Sequence, residues 1–300
     1  LCSVRIVELP NLTLCRADKV LLSGCAAMLG STALFGPTAL SLGVPAGLLA
    51  TVLADGIFRP SSNTLYPTIA HGPRSSNRVA LTFDDGPHPE TTPRVLDVLA
   101  QYQARATFFM IGRILESGVA IGERAVREGS EIGNHSWHHG YFKHAAPVHE
   151  QLIDIERCES LIRSITGADS RSPYRAPVGL KSPRFARAAH QLSLNVIAWS
   201  IHSRDTLDQN ADRIARRILS RIRGGDIVLL HDGHQTPGAR RTSALNALPL
   251  VLEGLKKLQL EPVAADPRQV EQIVDQPRQV PGLPFDRLPG AIRCRRGPIQ

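Results

Sequence analysis

The pattern of apolar and charged positions divides the chain at about residue 60. Between Lys19 and Asp55 the sequence KVLLSGCAAMLGSTALFGPTALSLGVPAGLLATVLAD has no charged residue except at its two ends. A helix needs about 20 apolar residues to cross a hydrocarbon core of about 30 Å. The run is long enough for one span, or for two short spans broken at Phe35-Gly36-Pro37. We predict a membrane hairpin at about 19–55, within an N-terminal hydrophobic region that covers 1–59.

Other interpretations of this apolar run remain open. It fits one uncleaved signal anchor, or a buried helical hairpin in a soluble protein; a cleaved signal peptide fits less well because the run is too long. Basic residues flank both sides, so the orientation is undecided. They are Arg5, Arg16 and Lys19 before it, and Arg59, Arg74 and Arg78 after it. We expect a membrane-anchored protein of a bacterial inner membrane, with the side of its main domain undecided.

From Arg78 onward, strand patterns alternate with helix patterns. NRVALTF has the alternating apolar positions of a strand, and GDIVLLH is apolar enough for a buried one. The remaining strand predictions are RATFFMIG, SEIGNHS, LNVIAWS and LEPVAA. Repeated strand–helix units predict an α/β fold, in which helices cover a parallel sheet. Six or seven units in one run favour a barrel over an open sheet.

The helix predictions rest on apolar stripes and on end signals. PVHEQLIDIERCESLIRSITG has an amphipathic pattern and ends before Gly167. Thr92-Pro93 marks the start of one helix, and Asn210 is positioned to cap another. Ser, Pro, Gly and Asn are frequent in 60–77, which we expect to be a linker. The barrel domain is expected at 78–264, and the Pro-, Arg- and Gln-rich segment 265–300 is expected to be a flexible tail.

Composition narrows the classes of partner. The chain has 300 residues, of which 42% are apolar, as in an ordinary globular protein, and its net charge is +8. Arginine is spread along the chain and no nucleic-acid motif is present, so we expect a solvated basic surface and no nucleic-acid partner. The five cysteines include no CxxC pair, which supports neither a disulfide framework nor a cysteine zinc site. The oligomeric state is not predictable.

Polar residues follow several predicted strands, where the reactive groups of parallel α/β domains gather. His135 and His139 are four residues apart, which places both imidazoles on one face of a helical turn; with one carboxylate they would form a zinc-type site. Asp84 and Asp85 are adjacent and repel each other. A divalent cation would offset that repulsion, with one aspartate as its ligand and the other free as a base. A turn cap at Asp84-Asp85 and a metal-free histidine loop remain alternatives.

Five short motifs appear in order: TFDDGP at 82–87, HSWHH at 135–139, RAP at 175–177, SRD at 203–205 and LLH at 229–231. Over Arg78–Pro262 this set resembles the polysaccharide deacetylases, carbohydrate esterase family 4. The first two motifs are specific together, whereas the last two would be weak alone. The resemblance implies an α/β fold that is a distorted (β/α) barrel of about seven parallel strands. It also implies metal-dependent hydrolysis of N-acetyl groups on amino sugars, with release of acetate.

The resemblance also implies a role for each site residue. Asp84 would be the catalytic base, and Asp85, His135 and His139 would bind a divalent metal, with Zn²⁺ as the default and Co²⁺, Ni²⁺ or Mn²⁺ as substitutes. Arg175 would orient Asp84, Asp205 would hold Arg175, and His231 would protonate the leaving amine. The remaining candidates bind substrate: the N–H of Val178 would hold the oxyanion, Leu229 would line the acetate-methyl pocket, and Trp137 lies near the ligands.

Some residues depart from the family pattern. Val178 stands where an aromatic residue is frequent, Thr206 where Trp is frequent, and His202 where Asp is often found. These differences affect the sugar preference and leave the metal centre intact. Ser136 is expected to brace its loop, and without a GxSxG elbow a serine-esterase mechanism is disfavoured. His138 is expected to point away from the metal, and Trp137 and Trp199 fit packing roles better than sugar platforms.

We therefore expect an N-deacetylase that acts on peptidoglycan, chitin-like or surface glycans. The alternatives are a catalytically weak glycan-binding barrel and a deacylase for a lipid-linked amino sugar. A third is a membrane-assembly protein whose hairpin is the working part. The sequence does not identify the glycan.

Overall fold

The structure is a computed structural model that describes residues 14–236, 239 and 241–265. The tail expected at 265–300 lies outside the described residues, except for Ala265. Cys2, Cys294 and Arg5 also lie outside them.

Two helices of equal length form the N-terminal hairpin. Helix α1 covers Arg16–Phe35 and helix α2 covers Ala39–Phe58. The chain turns at Gly36, whose φ of 71° suits a residue without a Cβ, and the side chain of Thr38 caps α2 by accepting from Ser41 N at 3.0 Å. Each helix of 20 residues is about 30 Å long. The break is where the sequence predicted it.

The segment 60–77 differs from the linker that we expected. Strand β1, Thr68–Ile69, pairs with strand β5, Val196–Ile197, in parallel register. Leu65 and Tyr66 are buried, and Tyr66 Oη donates to the carbonyl oxygen of Leu194 at 2.8 Å. Burial of an aromatic side chain stabilises a fold by about 1.5–3 kcal/mol, so this segment belongs to the packed domain despite its polar composition.

The described strands pair in parallel, and six of them form the main sheet, whereas β1 and β5 form a separate pair. Strand β2, Arg78–Gly86, lies at its centre, and its burial on both faces explains its apolar sequence. The order across the sheet is β4-β3-β2-β7-β6, and β8 pairs with the start of β2. The other strands are β3, Thr107–Met110; β4, Glu131–Asn134; β6, Ile201–His202; β7, Ile227–His231; and β8, Glu261–Val263.

Single bridges continue the sheet beyond β4. Tyr174 bridges Asn134 on one side and Val196 on the other, both in parallel. This residue therefore connects β4 to the short pair of β5 and β1. The predicted strand LNVIAWS is shorter than expected and is divided between β5 and β6. Its division leaves a turn at Trp199-Ser200, where Ser200 N donates to the carbonyl oxygen of Ile227 at the start of β7 at 3.0 Å.

The remaining helices begin and end close to the predicted positions. Asn210 caps α8 by accepting from Arg213 N at 2.9 Å, and Gly167 ends α6 in the left-handed region, both as predicted. The helices are α3, Thr91–Gln101; α4, Gly112–Leu115; α5, Val119–Arg127; α6, Val148–Thr166; α7, Pro183–Gln191; α8, Ala211–Leu219; and α9, Ser243–Lys257. Two 3₁₀ turns cover Lys143–Ala145 and Pro177–Gly179.

Three apolar clusters hold these layers together, and the two largest connect the sheet to its helices and to the hairpin. The larger one packs helices α3, α8 and α9 against the sheet and includes the stacked rings of Phe83 and Phe108, whose centroids are 5.2 Å apart. The second cluster combines residues from the base of the hairpin, such as Ala17, with Tyr174 and Phe185. The base of the hairpin is therefore built into the same core that supports the carboxyl edge of the sheet.

Candidate active site

The two aspartates end strand β2 at an irregularity. The pairing with β3 shifts register between Asp84 and Gly86, and Asp85 has a φ of 70°. A regular strand would direct adjacent side chains to opposite faces. The irregularity lets both carboxylates reach one place, because Asp84 Oδ2 and Asp85 Oδ1 each lie 3.7 Å from His135 Nε2.

A third aspartate, Asp232, packs against the turn at Asp85-Gly86; the sequence analysis gave it no role. Asp232 is fully buried, and its Oδ2 accepts a hydrogen bond from Thr92 Oγ1. A Cβ on Gly86 would lie 2.6 Å from Asp232 Oδ2, so only glycine fits after Asp85. Burial raises the pKa of Asp232 to about 7. Asp232 directly follows His231 of the LLH motif, and this position is the sequence signal that could have identified it.

The HSWHH motif forms a tight loop after β4. Ser136 and His139 have positive φ values of 63° and 54°, and Ser136 Oγ accepts from His139 N at 3.0 Å. This contact confirms that Ser136 braces the loop. His138 turns away from the site and contacts Asp154, as expected. The imidazole centroids of His135 and His139 lie 4.7 Å apart on the same side.

Trp137 was a candidate for substrate binding, and the structure places it in the core instead. Its side chain is 4% exposed, and its six-membered edge fills the space beside Gly112, where a Cβ would lie 2.5 Å from Cε3. The guanidinium of Arg157 covers the ring at 3.7 Å from the centroid. A ring enclosed on both sides has no face to offer a sugar, so packing is the role that its contacts support.

Asp85, His135 and His139 come together as the sequence predicted. Their nearest ligand atoms all lie within 4.8 Å of one another, and Asp85 Oδ1 is 3.2 Å from His139 Nε2. His135 Nδ1 lies 2.9 Å from the carbonyl oxygen of Arg175. A carbonyl oxygen can only accept, so Nδ1 carries the proton and the Nε2 lone pair faces the cluster.

The charge state of this cluster fits a divalent cation. Burial, with a smaller contribution from nearby His139, lowers the pKa of His135 to about 3, so its imidazole is neutral near pH 7. Two imidazole lone pairs and a carboxylate oxygen then face one another in a buried space. Such a set is unfavourable by itself and becomes favourable around a positive ion. One carboxylate with two imidazoles is also a donor set that zinc accepts.

Arg175 holds Asp84 as predicted. The guanidinium is 1% exposed, and NH1 donates to Asp84 Oδ1 and to Thr82 Oγ1, each at 2.7 Å. Nε and NH2 donate to the carbonyl oxygens of Ile197 and Ala198 at 3.2 and 2.9 Å. The Oδ1 atom of Asp84 is therefore occupied, and its Oδ2 atom faces the histidine side of the site.

Asp205 contacts a different partner from the one expected. We predicted that it holds Arg175; instead, Asp205 Oδ1 lies 3.0 Å from His231 Nδ1, and Oδ2 accepts from His231 N at 2.8 Å. The reason is topological, because β6 and β7 are neighbours and bring these two strand ends together. Burial alone would lower the pKa of His231. The hydrogen bond to Asp205 and the nearby carboxylates outweigh that effect, so its pKa is raised.

The predicted substrate-binding residues Val178 and Leu229 lie on two sides of this edge. Val178 is half-exposed and has a φ of 49°, which is rare for a β-branched residue and marks a strained turn. Leu229 lies two residues before His231 on β7, so strand alternation directs both side chains to the same face. His231 is itself paired with Asp84 across the sheet.

Two residues after β7 contact the candidate metal ligands and were missed by the sequence analysis. Gln235 Oε1 lies 2.8 Å from His139 Nδ1, and Arg241 NH1 lies 2.8 Å from Asp85 Oδ2. They occupy a polar stretch, DGHQTPGARR, immediately after the LLH motif. That position was a usable signal, but the sequence does not show which side chain of a loop turns back toward the sheet.

Comparisons with known proteins agree with this arrangement. The family model for polysaccharide deacetylase matches residues 71–197. A chitooligosaccharide deacetylase of Bradyrhizobium sp. is 39% identical over 166 residues, which are 55% of this chain and 74% of the relative. A peptidoglycan-N-acetylglucosamine deacetylase of Bacillus cereus is 33% identical over 190 residues, or 62% of this chain and 84% of the relative. The crystal structure of the Bc1960 peptidoglycan N-acetylglucosamine deacetylase superimposes with a TM-score of 0.59 at 29% identity, covering 66% of this chain and 90% of that one.

Proposed function

This chain belongs to the polysaccharide deacetylase family, and from its site we propose that it is a metal-dependent N-deacetylase that releases acetate from N-acetylated amino sugars of a glycan. The observation that carries the proposal is the position of Asp84. The buried Arg175 holds its Oδ1 while its Oδ2 lies 3.7 Å from His135 Nε2. Asp85, which Arg241 contacts, is instead the aspartate that joins both imidazoles in the candidate metal cluster. Related deacetylases act on chitooligosaccharide and on peptidoglycan, and either class of glycan fits this proposal.

We assign the metal to Asp85, His135 and His139. A bound divalent cation would supply Lewis acidity toward the acetamide carbonyl and would make water a stronger nucleophile at neutral pH. Zinc is our first choice because one carboxylate and two imidazoles are typical zinc ligands, and Co²⁺, Ni²⁺ and Mn²⁺ are the alternatives. The buried lone pairs of His135 and His139 support this assignment.

Asp84 acts as the general base in this proposal. Its Oδ2 atom takes a proton from the water that adds to the acetamide carbonyl carbon. Arg175 keeps Oδ1 engaged at 2.7 Å, which fixes the direction of the carboxylate. Arg175 is thus a positioning residue, because it acts through Asp84.

His231 and Val178 complete the proposed reaction. His231 gives its proton to the sugar nitrogen as the C–N bond breaks, so that the products are acetate and a free amine. Asp205 holds His231 through Nδ1 and favours its protonated form. The Val178 N–H would donate a hydrogen bond to the oxyanion. The left-handed backbone conformation of Val178 is rare for a β-branched residue and supports a functional role for its main chain. Leu229, on the face of His231, would line the pocket for the acetate methyl group.

We further propose that the parallel strands and the Tyr174 bridges form the distorted barrel typical of this family, within a catalytic domain that includes 60–77. The bridges on both sides of Tyr174 support this, because they extend the sheet from β4 toward β5. The contacts of Lys181 support the inclusion of 60–77. Lys181 Nζ is buried and donates to the carbonyl oxygens of Pro60 and Ser62, each at 2.7 Å, and to Thr68 Oγ1 at 3.0 Å.

We propose that the hairpin anchors the enzyme in a membrane. Helix α2 is the one helix of the described residues that is long and apolar enough to cross a bilayer by length and composition. Large apolar side chains are exposed along both helices, including Leu22, Leu29, Leu34, Leu40 and Leu48. No protein surface covers them among the described residues, and lipid is the partner whose chemistry they match.

Membrane fractionation tests the anchor. The full chain should sediment with membranes and remain there after an alkaline wash. Leu29→Lys with Leu48→Lys should weaken this retention, since each charge placed in the hydrocarbon core costs several kcal/mol. The matched control is Leu258→Lys, at an exposed position on the catalytic domain. A wild-type chain that stays in solution without detergent would contradict the anchor.

Acetate release tests the enzymatic proposal. The full chain in detergent should release acetate from chitooligosaccharide or peptidoglycan when zinc is present, and not when zinc is removed by a chelator. A fragment that begins at Arg74 would be unsuitable, because it lacks β1 and the buried Leu65 and Tyr66. Acetate from neither glycan, with metal bound, would favour a weak glycan-binding barrel or a deacylase for a lipid-linked amino sugar.

A further inference from the structure

The polar stretch after β7 reaches back to the metal ligands through Gln235. This residue lies four positions beyond the last residue of β7, and its Oε1 atom is 2.8 Å from His139 Nδ1. Arg113 NH2 donates to the main-chain oxygen of Gln235, and Arg113 N donates to the main-chain oxygen of Trp137 at 3.2 Å. The backbone of Gln235 is therefore fixed to the same loop that carries the histidines.

The two ligand imidazoles are oriented by different means. His135 Nδ1 faces a main-chain oxygen, that of Arg175, which no substitution at position 175 removes. His139 Nδ1 faces a side-chain amide oxygen instead. An amide oxygen accepts a hydrogen bond, so it requires the proton of His139 on Nδ1 and leaves the Nε2 lone pair for the cluster. With no acceptor at position 235, the imidazole could rotate, or carry its proton on Nε2 and bond with Asp85 Oδ1, 3.2 Å away.

We propose that Gln235 is a positioning residue of the metal centre, which holds His139 in the tautomer and orientation that present Nε2 to the metal. The inference rests on the proposed function only in that Asp85, His135 and His139 bind the cation. Outer hydrogen bonds of this kind fix the ligand ring and typically change metal affinity by 10- to 100-fold. Gln235 touches no substrate in this proposal and acts through His139.

The test is the zinc dissociation constant of the full chain in detergent, measured by competition with a fluorescent chelator. Gln235→Leu should bind zinc about 10- to 100-fold more weakly, because it leaves His139 Nδ1 without an acceptor. Gln235→Glu retains an acceptor oxygen and should bind zinc at least as tightly as the wild type. The matched control is Gln191→Leu, at the exposed end of α7, which should not change the affinity.

Two further measurements separate positioning from general damage. The metal-free variants should unfold at the same temperature as the metal-free wild type. With Co²⁺ in place of zinc, the visible absorption of Gln235→Leu should differ from that of the wild type, whereas Gln235→Glu should resemble it.

An unchanged zinc affinity in Gln235→Leu would overturn the inference, as would a Gln235→Glu variant that binds as weakly as Gln235→Leu. Failure of the wild type to bind zinc at all would contradict the metal centre and hence the proposed function. The two kinds of failure are therefore distinguishable.

Discussion

Replacement of Arg175 by methionine tests the most deeply buried charge pair of the site. Methionine keeps an apolar chain against the Phe109 ring, over which the guanidinium lies at 4.0 Å from the centroid, and it removes all four donated hydrogen bonds. Asp84 is 4% exposed and would remain as a buried carboxylate without its cation. Removal of one partner of a buried ion pair usually costs about 3–5 kcal/mol.

The size of the effect should depend on the charge of Asp84. In an Asp84→Asn background Arg175 is itself a buried charge without its counter-ion. Its removal there relieves that penalty, which offsets the loss of hydrogen bonds worth about 1–3 kcal/mol. The difference between the two backgrounds is the coupling energy, for which we expect about 2 kcal/mol. Burial lowers the pKa of Arg175 and the attraction of Asp84 raises it, so the pair is best treated as one unit.

The assay is urea unfolding of the four proteins in detergent with a chelator present, so that metal binding does not contribute. Trp137 and Trp199 fluorescence reports on the catalytic domain. The reasoning would be refuted if Arg175→Met lowered the free energy of unfolding equally in both backgrounds, or by less than about 1 kcal/mol in the wild type.

Three other predictions concern the proton donor His231, the metal ligands and the attachment of the segment 60–77. Because Asp205 raises the pKa of His231, activity should fall as pH rises through that pKa. Asp205→Asn should move the falling limb of the pH profile of kcat/KM to lower pH, and an unmoved limb would remove His231 as the proton donor. His135→Ala should lose bound zinc and activity together, measured by metal analysis and acetate release, whereas His138→Ala should keep both. Unchanged metal content in His135→Ala would remove His135 from the ligand set. Lys181→Met should increase amide hydrogen exchange in 62–69 by about tenfold or more, with Lys143→Met as a surface control; equal exchange in both variants would contradict the anchoring of this segment.

Strand and helix positions were predictable where local patterns decide them. The alternation in NRVALTF, the cap at Asn210 and the stop at Gly167 each depend on neighbours within a few residues, and the structure has all three. The segment 60–77 was not predictable in this way. Its Ser, Pro and Asn content is typical of a linker, but pairing of β1 with β5 joins positions that are more than 120 residues apart.

The site residues show the same difference between contacts that nearby residues decide and contacts that the order of strands decides. The ligand triad could be predicted because the two histidines share one loop and the aspartate ends a strand at the same edge. The partner of Asp205 could not, since it depends on the order of strands across the sheet. Trp137 was a substrate-binding candidate because it lies close to His135 along the sequence, but a packing role was expected to fit it better, and its ring lies in the core.

The central claim is that Asp84 supplies the base while Asp85, His135 and His139 hold the metal. The most direct test is a paired measurement of zinc content and acetate release for Asp84→Asn in the full chain. Retained zinc with acetate release reduced at least 100-fold is the predicted result, since general base catalysis contributes about 10²–10⁴-fold. Retained zinc with undiminished acetate release would contradict the account.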